Sequence, residues 1–252
     1  MEIKKENYTP EFQEVLKNCE SNKLFLGEGN PNAKILIIGK EVGGGSPKSL
    51  EEIIKSSDND AKRNIETWNN PNGYDLNKIK TDVFNDRKKR RMPTWDNYQK
   101  LVSKIIGKDL GKDNYNFLDY CFMTELSQIH LPNSNYDKNL TKEESQEIKT
   151  IRQKSVEERA KLLSMPFFRT FPIIIMACGH YPREFNFDIK NIFSVEWTKE
   201  TKELSIGNFY NLYYGKTKNG KDKILIHTRQ VSLGVTNQLL FEVAELCKPF
   251  KK

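Results

Sequence analysis

Four short apolar runs set the narrowest limits on what this chain can become: 34–38, the stretch YCFMTEL at 120–126, PIIIMACG at 172–179, and KILIH at 223–227. Each has the length of a strand. They are continuous rather than alternating, as strands are when both faces of a parallel sheet are covered. Stretches of helical period separate them. Residues 9–20 put Phe12, Val15 and Leu16 on one face after a Thr-Pro start. WDNYQKLVSKII, opened by Thr94 and closed by Gly107, carries Trp95, Tyr98, Leu101, Val102 and Ile105 on one stripe, a spacing that assigns Trp95 and Tyr98 to the core. Thr141 with Glu144 makes a capping box for a helix to about Leu163, and a last helix covers 235–246. IGNFYNLYYG at 206–215 and the strand KILIH flank an Asn-Gly turn, a hairpin signal. The alternation predicts an α/β fold, a three-layer α/β/α sandwich around a central, mainly parallel sheet of about four strands, in one domain over 1–252. Ser49 is placed to cap a short helix carrying Ile53 and Ile54. Residues 57–91, rich in Asn, Asp, Lys and Arg, read as a polar excursion with few core residues.

Charge bears on partners rather than on fold. Lys and Arg number 41 against 34 Asp and Glu, a net +7 with a pI near 9.0, which favours a polyanionic partner without requiring one. The sharpest cluster is Arg87-Lys88-Lys89-Arg90-Arg91; from charge alone, a solvated loop is the simpler account. Cysteines at 19, 121, 178 and 247 are too scattered for a local zinc or iron–sulfur motif and read as buried free thiols, which points to a reducing cytoplasm. No apolar run approaches the ~18–20 residues of a membrane span, and MEIKKENYTPEF has no signal-peptide character. Neither membrane nor metal nor cofactor is therefore expected.

In a parallel sheet the ligand site lies beyond the carboxyl ends of the strands. Those ends are Gly39-Lys40-Glu41, Glu125-Leu126-Ser127-Gln128, Gly179-His180-Tyr181 and His227-Thr228-Arg229-Gln230, and they are expected to converge. Glycines 43–45 serve chain geometry and close backbone approach; no Gly-Lys-Ser/Thr comes after them to make a phosphate loop. Structural roles stand beside the functional ones. Glu41 can bond loop amides or pair with a Lys, Glu125 can form a buried pair with Arg229 or a Lys, His180 can belong to a turn, and His130 reads as structural.

Taken in order, GEGNPNAKILIIGKEVG at 27–43, PTWDNYQKL at 93–101, FMTELSQIHLP at 122–132, FPIIIMACG at 171–179 and ILIHTRQVS at 224–232 resemble the uracil-DNA glycosylase superfamily over about residues 25–245. The resemblance implies a DNA glycosylase-like protein that hydrolyses the N-glycosidic bond of a flipped, damaged or non-standard base, with DNA as partner and no metal. Glu41 would orient or deprotonate water or stabilise the oxocarbenium-like sugar, and His227 would donate a hydrogen bond to the leaving base. Gly39, Gly43 and Glu125 would hold the base, and Lys40, Thr228, Arg229 and Gln230 the nucleic-acid backbone. The chain departs from the family pattern at Glu41, where Asp, Asn or a small residue is usual, at Val42 in place of Pro, and at Glu125 in place of the base-reading Asn. An ionised Glu offers acceptors only, so it suits a base presenting N–H groups unless it is itself protonated. The iron–sulfur cysteines of one branch of the family are absent. The alternatives are a catalytically inactive member that binds nucleic acid or a nucleotide, and a hydrolase of free nucleosides. On this basis Glu41, Glu125 and His227 should line one cleft.

Overall fold

The computed structural model describes residues 2–41, 49–89, 92–111, 114–131 and 141–251, the side chains of 87–89 excepted. Along these residues run β1 (Glu2–Ile3), α1 (Pro10–Asn22), β2 (Glu28–Gly29), β3 (Ile35–Gly39), α2 (Leu50–Trp68), β4 (Tyr74–Asp75), α3 (Leu76–Lys89), α4 (Pro93–Ile106), β5 (Cys121–Glu125), α5 (Lys142–Leu163), β6 (Ile173–Ala177), α6 (Tyr181–Glu184), α7 (Ile189–Phe193), β7 (Val195–Ser205), β8 (Asn208–Lys216), β9 (Asp222–Thr228) and α8 (Asn237–Cys247).

The fold is mixed α/β. The four apolar runs become β3, β5, β6 and β9, which lie side by side and parallel in the order β5-β3-β6-β9. Every residue of β3 and β6 is buried, which explains their unbroken apolar sequence. The sheet is wider than the four strands expected, with seven in the order β2-β5-β3-β6-β9-β8-β7. Its additions are antiparallel: β2 on β5 at one edge, β8 and β7 beyond β9 at the other. The β8–β9 hairpin turns through Gly220 at φ +77°, at the Asn-Gly signal. β7 escapes a pattern search because VEWTKETKELS is an exposed edge strand dressed in charges, with a register shift between Trp197 and Thr201.

Caps written in the sequence start the helices. Thr9 Oγ1 accepts from Phe12 N with Pro10 in the first turn of α1, and Thr141 and Glu144 form the reciprocal capping box of α5. Helix α4 begins at Pro93, one residue before the expected cap Thr94, and ends on Gly107 in the left-handed conformation. The larger correction concerns 57–91. Instead of a polar excursion with few core residues, this stretch holds most of α2 and α3, with β4 paired to β1 between them. Ser49 caps a helix of 19 residues, not a short one. Its buried stripe of Ile53, Ser57, Ala61, Asn64, Ile65 and Trp68 has helical spacing, but Ser and Asn on it hide the period from a reading based on polarity.

One hydrophobic cluster runs from Ile3 to Cys247, and a smaller one joins Ile53, Ile129, Leu131 and Ile148. The four cysteines are free and buried. Among the described residues no helix is long and apolar enough to cross a membrane.

Candidate functional site

Register between β3 and β5 builds the site. Gly39 pairs with Glu125, the last residue of β5, and the chain continues through Lys40 to Glu41 just beyond β3. Leu126 N donates to Gly39 O at 2.9 Å and Ser127 N to Lys40 O at 2.8 Å, so the two strand ends leave the sheet together. The Glu125 carboxyl lies over Gly39: a Cβ there would sit 2.1 Å from Glu125 Oε2. Gly39 thus leaves the room that this carboxyl position takes up.

Beyond these strand ends opens a cavity of about 860 Å³, within the range of small-ligand sites. Glu28, Lys40, Glu41 and Glu125 line it near the sheet, and Phe25, Tyr74, Trp95 and Tyr98 add aromatic rings. Helix α2 contributes Asp60, Arg63 and Asn64; α3 contributes Ile79, Val83 and Asp86; the loop after β9 contributes Gln230, Ser232 and Leu233.

Glu41 is held from one side. Tyr181 hydrogen-bonds its carboxylate, an Arg152 guanidinium N–H donates to the Tyr181 hydroxyl, and Lys40 Nζ lies 4.2 Å from the centre of the Tyr181 ring. Glu41 Oε2 is buried, with no hydrogen-bond partner among the described residues. Burial pushes the Glu41 pKa up, against the Tyr181 hydrogen bond and the charges of Lys40 and Arg152.

Glu125 is the most perturbed acid of the site. Burial, then repulsion from Glu41, raise it from 4.5 to about 8, with Arg159 opposing. Arg159 is fully buried beneath it, yet its donors go to the Glu125 carbonyl at 2.9 Å, the Phe25 carbonyl and Thr124 Oγ1. Glu125 Oε2 is left buried without a hydrogen-bond partner among the described residues. Loss of solvent also raises Glu28 to about 7.

Glu28 was not singled out from sequence, although its flanking glycines mark the position. Gly27 and Gly29 take φ of +134° and +101°, and a Cβ on either would meet a β5 carbonyl at 2.4 Å, so only glycines let this short strand close on β5. Asn64 fixes the approach to that strand, donating to Gly27 O at 2.9 Å and accepting from Leu26 N at 3.0 Å. Tyr181 stands at one of the expected strand ends but had no role assigned to it; Arg152 and Arg159 were missed, their polar side chains on α5 giving no local signal.

Of the residues picked from sequence, Lys40, Glu41, Glu125 and Gln230 line the cleft and Gly39 underlies Glu125. Gly43 lies outside the described residues. The expectation that His227 joins Glu41 and Glu125 is corrected: His227 is buried and is not among the described residues lining the cleft. Its Nε2 is 2.7 Å from Gly179 O and its Nδ1 3.2 Å from Asn211 Nδ2. That geometry makes Nε2–H the donor and Nδ1 the acceptor, and burial lowers the imidazole pKa. Thr228 is also turned inward, its hydroxyl donating to Phe209 O at 2.6 Å. Arg229 donates to the carbonyls of Gly234 at 3.0 Å and Leu233 at 3.1 Å, bracing the loop that presents Leu233 to the cleft. His180 is exposed and stacks on Phe209, and His130 Nδ1 lies 3.2 Å from Asp60 Oδ2.

No group of three His, Cys, Asp or Glu side chains suited to a metal ion occurs among the described residues. No family model matches the chain, and no curated protein matches it.

Proposed function

We propose that this chain is a DNA glycosylase-like hydrolase of the uracil-DNA glycosylase type, with Glu41 activating water against the sugar of a flipped nucleotide and Glu125 meeting the base. One observation carries the reading: two buried carboxylate oxygens with no hydrogen-bond partner among the described residues, Glu41 Oε2 and Glu125 Oε2, stand at adjoining parallel strand ends in a cavity of nucleoside size. An acid with no partner at such a strand end is costly, and function is the usual reason it is kept. The finer architecture, helices on both faces of the parallel core, belongs to the same proposal.

In the step, the water oxygen bonds to C1′ as the C1′–N bond breaks. The electron pair of that bond stays on the base, and the proton of the water passes to Glu41. Tyr181, held by Arg152, keeps one Glu41 oxygen engaged and leaves Oε2 for the water. Extruding a base from a duplex costs a few kcal/mol. Leu233 is 65% exposed at the cleft, where an apolar side chain can fill the gap in the stack. The net charge of +7 and the run Arg87–Arg91 in the sequence favour contacts to flanking phosphates.

The test is a panel of single- and double-stranded oligonucleotides carrying uracil, hypoxanthine, xanthine or alkylated bases, read as alkali-labile sites. Sites formed by the wild type and lost in Glu41→Gln support hydrolysis. Binding without any site on the panel supports instead an inactive, nucleic-acid-binding member of the same fold.

A further inference from the structure

The cleft runs against the charge of the protein around it. On a chain of net charge +7, the described residues of its lining include five carboxylates (Glu28, Glu41, Asp60, Asp86, Glu125) and two cations, Lys40 and Arg63. Among the described residues neither cation forms a salt bridge with the acids nearest the sheet, and only the Lys40 charge acts on one of them, Glu41. Arg63 is paired with Asp60, and Lys40 lies over the Tyr181 ring. Glu28, Glu41 and Glu125 are left as a cluster with no salt bridge among the described residues, beside the rings of Phe25, Tyr74, Trp95 and Tyr98. Carboxylates and aromatic faces together are what an organic cation requires.

A second observation concerns the leaving group. A neutral base departs as an anion unless it receives a proton or a hydrogen bond, and the imidazole expected to supply one, His227, has both ring nitrogens engaged away from the cleft. A base that is already cationic departs neutral, because the electron pair of the broken bond cancels its charge. It needs no donor.

We infer that the base accepted by this cleft carries a positive charge, as an N-alkylated purine or pyrimidine does, with Glu28 and Glu125 as its counter-ions. The inference rests on the cleft being a nucleobase site, as proposed above. Burial and the repulsion of Glu41 and Glu28 raise Glu125 to about 8, against the charge of Arg159, and burial raises Glu28 to about 7. Tyr74 and Tyr98 are pushed further up and stay neutral. Cation binding therefore draws protons off the acids. Ionising Glu125 at pH 7 costs about tenfold in affinity, one pKa unit, so affinity for a cation should rise with pH and level off above 8.

The experiment is calorimetric titration of the full chain with 1-methyladenosine and 3-methylcytidine, cations near neutral pH, against adenosine and cytidine. It is run at pH 6, 7 and 8.5 in two buffers of different ionisation heat. The cationic nucleosides should bind ~10²-fold more tightly at pH 8.5, with proton release, and Glu125→Gln should reduce that preference about tenfold while remaining folded by circular dichroism. Equal affinity for charged and neutral nucleosides overturns the cationic class and leaves the nucleobase reading standing. Affinity that falls between pH 7 and 8.5 overturns it too, and makes neutral Glu125 a proton donor to the base. If benzyltrimethylammonium binds as well as the cationic nucleosides, the cation site stands and the nucleobase reading falls. No binding by any of these probes overturns both.

Discussion

Replacing Glu125 by Gln should stabilise the protein by an amount that grows with pH. The folded chain holds the Glu125 proton up to a pH of about 8, whereas the carboxyl ordinarily loses it at 4.5. Between those values the unfolded state binds one proton fewer than the native state, so stability falls as pH rises, by about 1.4 kcal/mol per unit. By pH 7 this group alone has cost about 3 kcal/mol, and the loss ends above 8, where both states are ionised. Glutamine keeps the shape and cannot ionise. In paired urea titrations the Glu125→Gln gain should therefore be near zero at pH 4.5 and about 2–3 kcal/mol at pH 7, a midpoint shift of about 1 M or more. Raised values at Glu28 and Glu41 add to the slope of the wild type but not to the difference. The same gain at both pH values would refute the reasoning, because it would show that Glu125 keeps no proton the unfolded chain gives up.

Other expectations test the parts separately. Glu41→Gln should lower base release by ~10² or more while leaving DNA affinity within a few-fold, read by single-turnover kinetics and anisotropy. Gly39→Ala puts a methyl group 2.1 Å from Glu125 Oε2, the free end of a side chain; the carboxyl should swing aside, so that unfolding changes by about 1 kcal/mol or less while nucleoside binding is lost. Above pH 8, where Glu125 is ionised, the wild type should be weak or inactive on uracil, and Glu125→Asn should gain uracil binding there, since the amide supplies the donor that the carboxylate lacks. DNA affinity should fall steeply with salt, and neutralising Arg87–Arg91 should flatten the slope by about 0.9 per lost duplex phosphate contact.

The parallel core was legible because burial on both faces leaves no polar residue in Ile35–Ile38 or Ile173–Met176, and runs that short and unbroken have few other uses. The same logic reached Glu41 and Glu125, since chain order alone identifies the residues at and just beyond a strand's end. His227 is the last residue but one of β9, but which way its ring turns depends on Asn211 across the β8–β9 hairpin, a tertiary partner with no local signature. β7 and α2 were obscured for a related reason. An edge strand needs charges to stay unpaired with other chains, and the buried stripe of α2 uses Ser57 and Asn64 to bond backbone and loop, so polarity misreports burial in both. Glu28 was hidden by brevity, in a strand of two residues made by the glycines around it.

The central claim, hydrolysis of a nucleotide's glycosidic bond between Glu41 and Glu125, is tested most directly by mass spectrometry of the base released from a duplex carrying one N-alkylated purine. Wild-type protein should liberate the intact alkylated base in equal number with abasic sites, and Glu41→Gln should bind the same duplex yet release ~10²-fold less. Base release that is unchanged in Glu41→Gln, or tight binding with none released by the wild type, would contradict it.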